Sequence, residues 1–259
     1  MSIDSLLYTI SEYRRKNEVI WFRGHSDYNY KLNSGLYRIT SNKADIRAHE
    51  NNIFNSFLNY GYGFCNSFTC NTNWNTLFLM QHYGLYTRLL DWTDSLITAL
   101  YFAVQGNSHE TDPCLWILNP IKLNNNCKHL YDQNDQDYPE IGLITIDTIP
   151  KRVNDYIQYY KEDIDISSFS IMPRRNNDRL ISQNGFFTVQ GTQNIPLEEE
   201  YPSEHNDFLF CIKLEKNDIN EYKNFLKLTG INHYSLYGGA DGLCKYIKDE
   251  LLEIKLTNI

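Results

Sequence analysis

The chain has 259 residues, of which 42% are hydrophobic, and this is enough apolar material for a sizeable core in one domain. Its 32 acidic residues outnumber the 24 basic ones, so the net charge of −8 excludes a globally basic surface of the kind that attracts nucleic acid. A nucleic-acid partner would need a local basic patch.

The cysteines and the apolar segments indicate the cellular compartment of the protein. Six cysteines are scattered without a CxxC or CxxH pair, which favours free thiols in a reducing compartment over a zinc site or a disulfide framework. The sequence has neither a signal peptide nor a run of about 18 apolar residues. We therefore expect a cytoplasmic protein that does not contact a membrane.

Helical and strand patterns alternate along most of the chain. In chain order they predict a helix over 4–16, a strand over 18–23, a helix over 44–60, a helix from Trp74 that Gly84 ends, a strand to Trp92, a helix over 94–104 capped by Thr93 or Asp94, strands over 114–118, 185–191 and 208–214, and helices over 217–231 and 241–254. This order predicts an α+β fold in a single domain, 1–259, with a mixed or antiparallel central sheet flanked by helices. The polar stretch 119–164 is interpreted as an insertion or mobile loop region.

The first predicted strand ends on a charged residue. Arg23 follows an apolar run, and a buried guanidinium is costly unless its five donors find acceptors. The acceptor is either an anionic or carbonyl-rich ligand, or a carboxylate of the protein in an internal salt bridge, for instance that of Asp91. Gly24 fits a turn with a positive φ angle or a backbone that comes close to a ligand.

A second polar cluster lies next to core residues in "MQHYGLYTRLLDWTDS". Within fourteen positions the cluster gathers Gln81, His82, Arg88, Asp91, Trp92, Thr93 and Asp94. Such a density of polar groups beside the core is typical of clefts. The alternative is structural, with caps at Gly84 and Asp94 and with His82 as an ordinary core or surface histidine.

A third cluster, "RRNNDRLISQNGFFTVQG", carries Arg174, Arg175 and Arg179, with Gln183 just before a strand. A small basic patch beside a polar turn suits a phosphate or a nucleotide, although a solvated run of charges has the same composition. The seven histidines show no metal-ligand spacing, and we find no nucleophile elbow, phosphate loop or dinucleotide fingerprint. No metal is expected.

Four separated blocks resemble the FRG domain, which is named for the residues found here as Phe22, Arg23 and Gly24. The blocks are "WFRGH", "MQHYGLYTRLLDWTDSLITALYFAV", "RLISQNGFFTVQG" and "GINHYSLYGGADGLCKYI", and the likeness covers about residues 18–250. The chain departs from the family at Tyr86, where a proline is usual, and in "YGGADG", where a "FPDLDG"-like stretch is usual. The resemblance implies a setting near prophage and defence genes, and thus a toxin or anti-phage defence effector.

A weaker likeness is to ADP-ribosyltransferases, which combine an arginine, a Ser-Thr-Ser motif and a glutamate. It implies NAD as the substrate, with Arg23 on the phosphates or ribose, and with Thr93 and Ser95 bracing the nicotinamide pocket. The third position falls at Gln183, which lacks the carboxylate. Either another carboxylate such as Asp91 supplies the charge, or the domain binds without turning over. The residues expected to bind the nucleotide are Arg23, Gly24, Gln81, His82, Arg88, Thr93, Ser95 and Arg179.

Three functions therefore remain open. The first is an ADP-ribosyltransferase-like enzyme that uses NAD to modify a nucleic acid or a protein. The second is a non-catalytic module in which Arg23, Arg88 and Arg179 recognise a nucleotide, a phosphorylated group or an acidic partner. The third is a metal-independent nuclease with His82 as base and Asp91 as its orienting group.

Overall fold

The structure is a computed structural model that describes residues 1–40, 42–61, 63, 72–105, 110–127, 130, 142–161, 165–174, 185–201 and 207–257. Its strands are β1 (Trp21–His25), β2 (Leu89–Thr93), β3 (Cys114–Leu118), β4 (Phe169–Ile171), β5 (Gly185–Val189) and β6 (Leu209–Lys213). Its helices are α1 (Ile3–Lys16), α2 (Lys43–Tyr60), α3 (Asn73–His82), α4 (Leu96–Val104), α5 (Pro120–Asn126), α6 (Tyr156–Lys161), α7 (Leu197–Glu200), α8 (Ile219–Leu228), α9 (His233–Tyr237) and α10 (Gly239–Thr257). No helix in these ranges is both long and apolar enough to span a bilayer.

The six strands form one sheet in the order β4-β5-β2-β1-β3-β6, and each pair of neighbouring strands is antiparallel. The predicted α+β class is confirmed, and of the two sheet types the antiparallel one is found. The domain boundaries of the sequence analysis stay a prediction.

The two central strands pair unequally with their neighbours. Strand β1 pairs with β3 along its whole length, from Trp21↔Leu118 to His25↔Cys114. Between β1 and β2 the register holds one residue pair, Phe22↔Thr93. The sheet therefore has a seam at its centre, where β1 and β2 separate beyond this pair.

Helix α4 covers one side of the seam and lies very close to β1. A Cβ atom at Gly24 would lie 1.9 Å from the carbonyl oxygen of Ala99 and 2.6 Å from the amide nitrogen of Ala103. The φ angle of Gly24 is not positive. The explanation by a turn with a positive φ angle was therefore wrong, and the close backbone of α4 accounts for the missing side chain. A close approach of Gly24 to a ligand stays a prediction.

The start of α4 also differs from the prediction. Ser95 is the N-cap, and its Oγ accepts hydrogen bonds from the backbone N–H and the hydroxyl of Thr98. Thr93 belongs to β2, and its Oγ1 accepts the N–H of Ser95. The cap thus lies one or two residues later than expected.

The polar stretch 119–164 contributes to the core in its described part. Helix α5 begins on the side-chain cap of Asn119, and the side chains of Tyr156 and Tyr159 in α6 are almost completely buried. Both tyrosines pack on Trp74 of α3, with ring centroids 5.1 and 6.1 Å away. These helices were not predicted, because six or seven residues do not reveal a helical period.

Candidate anion-binding cleft

A cleft of about 520 Å³ opens where β1 and β2 separate. It is bounded by β1, β2, α4, β5 and the segment that follows β1. Its polar and charged lining residues are Arg23, His25, Ser26, Lys31, Asn33, Arg38, Asp91, Thr93 and Thr98, and its aromatic ones are Phe22, Tyr30, Trp92, Phe102 and Phe187.

Arg23 lies in this cleft with part of its donor capacity unused. Its Nε donates to Nε2 of His25 at 2.9 Å, and its Nη1 donates to the backbone carbonyl of Asp91 at 2.7 Å. Within the described chain, Nη2 makes no hydrogen bond. The nearest carboxylate oxygen, Oδ2 of Asp91, is 3.8 Å from Nη1, and the Asp91 side chain is 60% exposed. Arg23 and Asp91 thus form a long and partly exposed ion pair, which is the internal salt bridge that the sequence left open, and this pair leaves Nη2 of Arg23 unused.

Burial and neighbouring charge set the protonation of Arg23 and His25. Burial lowers the pKa of Arg23 to about 10, and nearby Arg38 acts in the same direction while Asp91 opposes it. Arg23 thus remains a cation at neutral pH. Burial, followed by the charge of Arg23, lowers the pKa of His25 to about 3. A neutral imidazole is what an acceptor at Nε2 requires.

Two more cations line the cleft, and they differ in how they are held. Nζ of Lys31 is 2.6 Å from Oε1 of Glu199. Nε of Arg38 donates weakly to the carbonyl of Ser34 at 3.4 Å, and no ion pair of Arg38 is found in the described ranges. Asp91 is the one carboxylate among the described lining residues. The cleft is therefore cationic in a protein whose net charge is negative.

The wall formed by the loop after β1 is fixed by the segment around α7. The backbone N–H of Ser34 donates to Oε1 of Gln190 at 2.7 Å, and Nε2 of Gln190 donates to Oδ1 of Asn33 at 2.7 Å. The backbone N–H of Leu32 donates to Oε2 of Glu198 at 3.0 Å. These contacts hold Lys31 and Asn33 against the cleft without a ligand.

The structure brings four of the predicted site residues to the cleft, namely Arg23, Gly24, Asp91 and Thr93. Gln81 does not line the cleft but contacts a residue that does. Its Nε2 donates to Oδ2 of Asp91 at 3.0 Å, and its Oε1 accepts from the hydroxyl of Thr87. Ser95 and His82 are not lining residues. Ser95 caps α4, and the ring of His82 packs edge-on to Tyr83 with centroids 4.9 Å apart.

Arg88 lies in the protein interior and not in the cleft. It forms a buried ion pair with Glu50 of α2. The hydroxyl of Tyr156 also donates a hydrogen bond to the Glu50 carboxylate. The guanidinium carbon lies 4.7 Å from the ring centroid of Tyr159. Desolvation disfavours the charged form, but the Glu50 carboxylate more than offsets it and raises the pKa of Arg88 above its ordinary value. The geometry gives this arginine a structural role.

Gln183 and Arg179 lie outside the described residues, so their roles remain predictions. Conversely, the sequence analysis missed His25, Lys31, Arg38 and Tyr30 as lining residues. His25 had a readable signal, because residues two apart on a strand share a face and His25 follows Arg23 at that interval. Tyr30 and Lys31 lie in irregular chain, and Arg38 ends a three-residue 3-10 helix, so no period indicates the direction of these side chains.

These features define an α+β protein with an antiparallel sheet and a cationic cleft at its central seam. Residues 18–112 match the family model of the FRG domain, so this part of the chain is an FRG domain, and it contains Arg23, His25, Lys31, Arg38 and Asp91. The resemblance beyond residue 112 stays a prediction.

Comparison with curated proteins and with solved structures gave no match. The likeness to ADP-ribosyltransferases is therefore not shown. In the described ranges, no group of three or more His, Cys, Asp or Glu side chains is placed to hold a metal ion.

Proposed function

We propose that the cleft binds a nucleotide through its phosphate groups. The observation that carries this proposal is the guanidinium of Arg23, which keeps a net charge and an unused Nη2 although its side chain is only 18% exposed. The long ion pair with the exposed Asp91 offsets the cost of burying this cation only in part, and an anionic ligand would offset more of it. Phosphate oxygens match the planar fork of arginine donors.

The rest of the lining suits the other parts of a nucleotide. Arg38 and Lys31 add positive charge for further phosphate oxygens. Tyr30 and Phe102 offer aromatic surface for a base, and the hydroxyl-bearing Thr93 and Thr98 offer partners for ribose hydroxyls. The aromatic and hydroxyl groups favour a nucleotide over a simple inorganic anion.

The test is calorimetric titration with NAD, ADP-ribose, ATP and inorganic pyrophosphate at low and high salt. We expect at least one nucleotide to bind, more weakly as salt rises, because salt screens charge. Arg23→Ala should weaken binding at least tenfold, which corresponds to about 1.4 kcal/mol, and Arg23→Lys should weaken it less.

Arg174→Ala is the matched control, because Arg174 pairs with Asp147 at the surface with half of its side chain exposed, and it should bind like the wild type. The proposal fails if none of the four probes binds, or if folded Arg23→Ala binds as the wild type does.

A second candidate function, transfer of ADP-ribose from NAD to a nucleic acid or protein, is favoured by the position of Asp91. Its exposed carboxylate lies 3.8 Å from the guanidinium proposed to hold the phosphates. A fixed negative charge at that place would stabilise the cationic sugar that forms as nicotinamide leaves. Asp91 would thus supply the charge that Gln183 lacks.

This candidate predicts that nicotinamide is released from NAD, with a cell lysate as the source of acceptors. Asp91→Asn keeps the size of the side chain and an oxygen that accepts from Gln81, so NAD affinity should change little. The rate should fall about a hundredfold, as for the loss of other electrostatic contacts to a transition state. Absence of nicotinamide release with and without lysate would leave the binding function alone.

A toxin or anti-phage defence effector of this kind would deplete NAD or modify an essential acceptor. Growth arrest on expression of the wild type, relieved by Arg23→Ala, is the expected result. The nuclease hypothesis is not carried further, because Gln81, and not His82, contacts Asp91.

A further inference from the structure

We propose that His25 is a positioning residue that turns the end of the Arg23 guanidinium, Nη1 and Nη2, toward the anionic ligand. This inference rests on the proposed function, because it concerns how the same arginine meets a phosphate. It adds a residue that the sequence analysis did not single out.

A guanidinium offers an oxyanion two edges, the side edge of Nε and one terminal nitrogen, or the end formed by both terminal nitrogens. In Arg23 the side edge is occupied, because Nε donates to His25 at 2.9 Å. Nη1 has one of its two hydrogens on the carbonyl of Asp91. The hydrogens that remain are the second on Nη1 and both on Nη2, so the free donor capacity of Arg23 is concentrated on its terminal nitrogens.

His25 is well placed to hold this orientation. It is two residues from Arg23 on β1, so both side chains leave the same face of the strand, and it is only 7% exposed. Its strand is fixed on the other side by pairing with Cys114 of β3. The acceptor is therefore held rigidly, which is what positioning a charged group for a ligand requires.

The choice of a neutral acceptor also matters for the charge of the site. A carboxylate at position 25 would fix the guanidinium equally well, but it would neutralise the charge that attracts the ligand. A neutral imidazole that accepts at Nε2 carries its proton on Nδ1 and leaves the full charge of Arg23 for the phosphate. His25 thus orients the arginine without competing for it.

A double-mutant cycle with NAD and pyrophosphate as probes tests the inference. His25→Leu removes the acceptor and should weaken binding at least fivefold, whereas His25→Gln keeps a neutral acceptor and should retain most of the affinity. In an Arg23→Ala background, His25→Leu should have no further effect, because its role acts through Arg23. Unchanged binding by His25→Leu, or an equal loss without Arg23, would overturn the inference.

A ligand-free measurement keeps the test decisive if a variant does not fold. Nitrogen-15 chemical shifts of the His25 ring in the wild-type protein should show the neutral Nδ1–H tautomer at pH 7 and at pH 5. A ring protonated at pH 5, or the Nε2–H tautomer, would exclude the hydrogen bond from Arg23. Failure of the proposed function is a separate result, because it requires that the wild type binds none of NAD, ADP-ribose, ATP and pyrophosphate or that Arg23→Ala binds normally. If only ATP or ADP-ribose binds, the cycle is run with that nucleotide.

Discussion

Gly24 shows how one residue sets the distance between two elements of this fold. The backbone of α4 occupies the space where a side chain at this position would stand. Because β1 carries Arg23 and α4 carries Thr98 and Phe102, the same contact fixes the width of the cleft. The glycine therefore supports the site by letting α4 pack close to β1.

Gly24→Ala should destabilise the protein by about 3 kcal/mol, because a methyl group 1.9 Å from the Ala99 carbonyl oxygen forces β1 and α4 apart. Denaturant unfolding measures the change. Gly142→Ala is the control, because no atom lies within 4 Å of the added Cβ, and it should change the free energy of unfolding by less than about 0.5 kcal/mol. A Gly24→Ala protein as stable as the wild type would contradict the close packing.

Ser95 offers a second residue-scale prediction. As the N-cap of α4 it satisfies the N–H of Thr98, so Ser95→Ala should cost about 1 kcal/mol in the free energy of unfolding. Ser95→Asp keeps a good cap and should retain most of the stability. If Ser95→Ala instead leaves stability unchanged and weakens NAD binding, the serine contacts the nucleotide as the ADP-ribosyltransferase likeness implied.

At the scale of elements, the pair Arg88–Glu50 connects α2 to the residue that precedes β2 in the protein interior. Glu50→Gln should lower the free energy of unfolding by about 3 kcal/mol, because it leaves the buried charge of Arg88 without a counter-charge. Nucleotide binding by the folded variant should be unchanged.

The matched control for this pair is the surface pair Arg174–Asp147, where Asp147→Asn should cost less than about 1 kcal/mol. Reduced nucleotide affinity in a stable Glu50→Gln protein would contradict the structural role of Arg88.

Arg88 also shows where sequence reasoning stops at this scale. The helices over 3–16, 43–60 and 96–104 and the buried strand over 114–118 were predictable, because each shows an apolar period or run with capping or turn residues. Nothing in "YTRLLDWT" indicates that Arg88 meets an acid 38 positions earlier while Asp91 faces the cleft. Such pairings depend on which elements become neighbours, and one sequence does not contain that information.

At the scale of the whole molecule, the titration of His25 should make the free energy of unfolding depend on pH. Its pKa is lowered from 6.5 to about 3, first by burial and then by the charges of Arg23 and Arg38. The unfolded chain therefore binds the proton first as pH falls, and stability decreases between pH 6.5 and 3. The slope from this group is at most about 1.4 kcal/mol per pH unit.

Half-buried Glu200 acts in the opposite direction, because desolvation raises its pKa from 4.5 to about 6 and the folded state holds its proton more tightly in that window. Denaturant unfolding from pH 7 to pH 4 should thus show a shallower acid loss in His25→Gln and a steeper one in Glu200→Gln. Identical slopes in the wild type and His25→Gln would show that His25 does not titrate in this way.

The site itself was predictable only in its strand-borne part. Arg23 and Asp91 stand at strand positions that the sequence flagged, but Lys31 and Arg38 reach the cleft through a loop held by Gln190 and Glu198. Loop direction follows from hydrogen bonds to distant chain, which no local pattern records. The cationic character of the cleft therefore emerged only from the assembled fold.

The single residue pair between β1 and β2 divides the sheet into two three-stranded halves, each with its own continuous ladder. Arg23 belongs to one half and Asp91 to the other. A ligand bound between them would connect the two halves at the place where the fewest residues of neighbouring strands pair. Ligand binding should therefore stabilise the backbone of both halves, including residues that the ligand does not contact. Amide protons on both ladders should exchange with solvent more slowly when the ligand is present.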